Sequence, residues 1–92
     1  MNDQSFEDVL AVRQSAHHHL LALALAAAHR NVPSPATTLK AMGTALVQDW
    51  AAGAGSHAPD AETRNRVTSA YAEEVSAVID LAVGLVKRMP AD

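Results

Sequence analysis

The chain has 92 residues, no cysteine and a formal net charge of −3, with a pI near 5.9. Lack of cysteine excludes disulfides, thiolate catalysis and thiolate-bound zinc, and without a run of Lys or Arg the long-range attraction behind non-specific nucleic-acid binding is missing. The length gives one domain with a small core, and a composition 49% hydrophobic but only 3% aromatic builds that core from Ala, Leu and Val, which lets helix axes approach closely.

A single helical domain is expected over residues 1–92, with flexible ends at 1–4 and 90–92 and a flexible loop at 53–58. MNDQSFEDV is acidic and polar where a secretory signal would be basic and then apolar, so no targeting segment is read there. With no cysteine to oxidise, a reducing cytoplasm is the expected location.

The first helix is expected from about residue 5 to residue 30. Ser5 can cap it, and Glu7 and Asp8 place negative charge in the first turn, where the macrodipole favours it. Its centre is Ala16 to Ala28, AHHHLLALALAAA, free of Gly, Pro and β-branched residues and therefore strongly helix-forming. Phe6, Val9, Leu10, Ala16, Leu20, Leu21, Ala24, Ala27 and Ala28 fall in one broad stripe, the expected core face. Leu23 and Leu25 flank it, so from Leu20 onward the helix is apolar nearly all round. A membrane span needs roughly 20 apolar residues, whereas this run is bounded by His19 and His29 after nine. Arg13 interrupts the stripe and is expected to snorkel past Phe6.

The histidines diverge because helix neighbours point about 100° apart. His17 faces the stripe, His18 shares a side with Leu25 and His29, and His19 leaves on a third bearing. Neither His-x-x-x-His nor Glu-x-x-His occurs, so the helical spacings of zinc hydrolases and di-iron bundles are absent. No metal ligand and no cofactor is assigned.

NVPSP at residues 31–35 stops one helix and starts the next, expected over 34–52, with Ser34 as N-cap and Pro35 at the first helical position. Leu39, Met42, Gly43, Leu46 and Trp50 form its apolar stripe. Gly43 in that stripe points to a close helix crossing, since glycine costs about 1 kcal/mol against Ala in a helix. AAGAGSHAPD ends the helix, with Gly53 or Gly55 expected in the left-handed conformation. Ser56, His57 and Asp60 share this loop but lack the preorganisation of a hydrolytic triad.

The third helix is expected over 58–89, ended by Pro90. Val67, Tyr71, Val75, Val78, Ala82, Leu85 and Met89 repeat at spacings of three and four. Ala70, Ala77 and Gly84, seven apart, trace a line of small residues on another side.

Short connections set these helices as an up-down-up three-helix bundle. The apolar halves of the first and third helices then lie at the same end, and the shorter second helix cannot cover both. Ile79, Val83 and Val86, or the line of Ala70, Ala77 and Gly84, or Leu23 and Leu25, are expected to stay uncovered in one chain, as an interface completed by homo-oligomerisation. Arg13 and Glu74 are a candidate interior ion pair, fixing register more than adding stability.

The leading functional expectation is a non-enzymatic interaction module, a homo-oligomer with a dimer favoured, that presents an apolar helix face to another protein. A bundle binding a small molecule or metal through the His17–His19 region is the alternative, with His17, Met42, Trp50 and Tyr71 as the lining of its pocket. An enzymatic reading would need His17 or His29 as base with Glu74 or Asp80 as partner, and no catalytic constellation supports it.

Overall fold

A computed structural model of the chain describes residues 3–53 and 57–90. Helix α1 (Asp3–His29), α2 (Pro35–Ala52) and α3 (Ala61–Arg88) form an all-α three-helix bundle. The middle place belongs to α3: α1 and α2 each pack along it and barely touch one another. Gln14 reaches Glu74 while Leu25 shares a cleft with Val78, so α1 and α3 run parallel. Gly43 lies against Ile79 while Trp50 stacks on Tyr71, so α2 runs antiparallel to α3. The topology is up-down-up.

Local chemistry sets the boundaries. Asp60 caps α3 from extended backbone, its carboxylate accepting from the Thr63 N–H at 2.6 Å. This cap places Pro59 before the helix, so α3 begins at Ala61 rather than near residue 58. Glu62 in its first turn and Lys87 and Arg88 in its last suit the macrodipole. At α2, Pro35 occupies the first turn as expected, but Ser34 adopts φ 50°, ψ 58° and makes no side-chain cap. Pro35 disfavours the right-handed helical region for the residue before it, and a side-chain cap needs an extended residue. Gly53 donates its N–H to Asp49 O at 3.0 Å with φ −96°, so the expected left-handed cap does not form there. Gly55 lies outside the described residues.

The buried core is Ala22 and Ala26 of α1, Leu39 of α2, and Ile79, Ala82, Val83 and Val86 of α3. Two expectations are overturned. First, α1 meets the bundle through its alanines, while Phe6, Val9, Leu10, Leu20 and Leu21 of the expected core stripe stay exposed. An apolar surface on nearly every side gives no preferred direction, and small residues win because they let the helix axes close up. Second, Ile79, Val83 and Val86 are buried, each under 10% exposed, rather than uncovered. A helix flanked on two sides must bury two stripes.

At the α2–α3 crossing Gly43 is buried, and a Cβ there would come within 3.0 Å of Ile79 Cγ1 and 3.5 Å of Val75 Cγ1. The glycine thus marks the expected close approach.

The molecule is open. Its Cα atoms span 47 × 40 × 13 Å with a radius of gyration of 15.9 Å, where a compact domain of this length has about 12 Å. Three helices side by side at 8–10 Å spacing would be only about 25 Å wide, so these helices splay. No helix among the described residues is long and apolar enough to cross a membrane.

Candidate interaction surface

Because α1 and α2 flank α3 without closing on each other, an apolar cleft of about 260 Å³ opens between them. Leu21 and Leu25 form one wall, Leu46 the other, and Val75, Val78 and Ile79 the floor, with His18 and Glu74 at the polar rim. Leu21 and Leu46 are more than two-fifths exposed. A second cleft, about 390 Å³, lies between α2 and α3 and mixes Lys40, Thr44, Gln48, Ser76 and Asp80 with Val47 and Val75.

The polar rim is a three-residue network. Gln14 Nε2 donates to Glu74 Oε1 at 2.7 Å, and His18 Nε2 meets Glu74 Oε2 at 2.7 Å. The His18 side chain is 18% exposed and that of Glu74 55%. Hydrogen bonds from His18 first and Gln14 second hold the Glu74 carboxyl below the ordinary range, because both favour its charged form. Gln14, His18 and Ala22 are spaced by four, and this row is the side of α1 that α3 meets.

Arg13 lies about 100° around the helix from that row. It is exposed, and His18 rather than Arg13 meets Glu74. The other histidines diverge as their spacing requires. His17 is exposed, while His19 Nδ1–H donates to Ser15 O at 2.9 Å and His29 Nδ1–H to Leu25 O at 2.8 Å. Among the described residues no group of three or more His, Asp or Glu could hold a metal ion.

The proposed lining of His17, Met42, Trp50 and Tyr71 does not assemble. Trp50 and Tyr71 stack on each other, centroids 4.7 Å apart and planes 8° from parallel, and Met42 packs on the core. His17 faces solvent on α1, which α2 barely touches.

Of the expected interface residues, Leu23 is 48% exposed and Ala70 is exposed; Leu25, Ala77 and Gly84 are half-buried. Nothing lies within 4 Å of a Cβ built on Gly84. The apolar surplus is real but sits on α1. Among the described residues, eight large apolar side chains are exposed, namely Phe6, Val9, Leu10, Val12, Leu20, Leu21, Leu23 and Leu46, all but Leu46 from α1. From residue 5 to residue 17 every side chain of α1 is exposed.

Set against protein-family models, curated proteins and solved structures, the chain matches none. Function must therefore be read from the surface itself.

Sequence reasoning missed His18, Gln14 and Leu46 as parts of the surface. The four-residue spacing from Gln14 to His18, Ala22 and Ala26 was the available signal, since polar and small residues at helical spacing mark a side able to meet another helix closely.

Proposed function

We propose that this chain is a non-enzymatic helical interaction module that self-associates, as a dimer first, and presents an apolar helix face to a protein partner. One observation supports this most. A folded monomer of this mass exposes about 5,100 Å², whereas this chain exposes 6487 Å². The excess of about 1,400 Å² exceeds the roughly 800 Å² per partner of a standard protein interface. Seven large apolar side chains of α1 stand exposed on this open chain, and exposed apolar surface rimmed by polar residues marks partner sites. The cysteine-free composition fits a reducing compartment, and we assign the protein to the cytoplasm.

Placing a charge on this face tests the reading. Leu10→Glu and Leu21→Glu should each keep the helical circular dichroism of the parent, because both side chains stand exposed, while shifting its mass in solution toward that of one chain. Unchanged mass in both variants would contradict the role given to α1.

The cleft beside His18 also favours a second reading, an apolar small molecule held between α1 and α2 with a polar end at His18 and Glu74. Thermal unfolding with a medium-chain alcohol or amine would register such a ligand as a raised midpoint.

A further inference from the structure

The geometry points to a second copy of this chain as the occupant of the exposed groove side of α1, its own α1 lying antiparallel with the two-fold axis near Ser15 and Ala16. This inference rests on the self-association proposed above and specifies its geometry.

Leu10, Gln14, His17 and Leu21 follow one another at spacings of four, three and four, the repeat that keeps residues on one seam between paired helices. All four are exposed. Read from either end, the seam runs apolar, polar, polar, apolar. A two-fold contact must be self-complementary, so each residue of an antiparallel seam has to suit the one at its mirror position. Leu10 of one copy then meets Leu21 of the other, and Gln14 meets His17. The chemistry fits: the Gln14 amide nitrogen is committed to Glu74, and its carbonyl oxygen is an acceptor suited to a histidine N–H.

The helix dipoles select the same direction, because antiparallel pairing opposes the two macrodipoles whereas parallel pairing would align them. Leu21 also lines the cleft, so a helix laid on this seam would cover its mouth. Val12 and Leu23, on the far side of α1, stay outside the pairing and open to a different protein.

The 92-residue chain has no cysteine, so a disulfide between introduced cysteines can report the geometry. Leu10→Cys and Leu21→Cys are made separately, each checked for parental helicity, and exposed to mild oxidant alone and mixed. Antiparallel pairing should give a covalent dimer in the mixture far in excess of either variant alone, because identical positions lie about 16 Å apart along the axis. A parallel pair would cross-link each variant with itself and overturn the proposal. Parent-like dimeric mass without a mixed cross-link would also overturn it while leaving self-association standing. Monomeric mass for the parent would remove both.

Discussion

His18 Nε2 and Glu74 Oε2 stand 2.7 Å apart, tying α1 to α3 at the rim of the apolar cleft. From residue 5 to residue 17 every side chain of α1 is exposed, Gln14 among them although it bonds to Glu74. The same contact leaves the cleft open beside it, so one polar link bears on both the fold and the surface.

This link should be acid-sensitive. The Glu74 carboxyl is held below its ordinary range by His18 and Gln14, so its contribution to stability is present above the unfolded carboxyl's range and lost as pH falls through the lower folded value. Asp60, held down by its hydrogen bonds to Thr63, acts with the same sign. The melting midpoint should therefore drop as pH falls through and below the ordinary carboxylate range, and Glu74→Gln should show a smaller drop than the parent. Equal drops would disconnect Glu74 from the acid limb.

The two glycines inside the helices should respond oppositely to substitution. Gly84→Ala meets nothing within 4 Å and should stabilise by about 0.4–1 kcal/mol. Gly43→Leu forces a side chain into Ile79 and Val75 and should destabilise by about 1–3 kcal/mol. Urea unfolding of both variants checks the pair, and a neutral Gly43→Leu would mean that α2 and α3 are further apart.

Ser34 is the described non-glycine residue with positive φ. Left-handed backbone costs an ordinary residue roughly 1–2 kcal/mol, a cost glycine escapes. Part of that gain is offset by the greater freedom of glycine in the unfolded chain. Ser34→Gly should thus raise the melting midpoint by a few degrees, whereas a side-chain cap at this position would make the same change lower it.

Burial separates Val83 from Leu23. Val83 is 7% exposed and Leu23 48%. Val83→Ala should cost about 2 kcal/mol through lost burial and a residual cavity. At dilutions that favour the single chain, Leu23→Ala should stay within about 0.5 kcal/mol. A reversed order in denaturant unfolding would restore Val83 to the surface.

Much of the fold was legible in the sequence. NVPSP and AAGAGSHAPD divide the chain into helices whose observed bounds differ from expectation by at most a few residues, and the stripes of Leu39, Gly43 and Ala82 point inward as their spacing requires. The direction of α1 was not legible, because Leu20, Leu21, Leu23 and Leu25 surround the helix and no side stands out. The observed side follows from Ala22 and Ala26 fitting against α3, a packing preference that hydrophobicity alone does not encode. Burial of Ile79, Val83 and Val86 escaped for a related reason: a three-helix bundle admits more than one middle helix, and only packing selects α3. Of the candidate site, the excess of apolar surface was visible, while the His18–Glu74 link required knowing which side of α1 meets α3.

Sedimentation equilibrium of the unmodified chain over a wide dilution range tests the central claim most directly. A mass near twice the 9.7 kDa chain, falling toward one chain only on strong dilution, is the expected result. A chain that stays monomeric and folded at every concentration, with the leucines of α1 exposed to water at no cost, would contradict it.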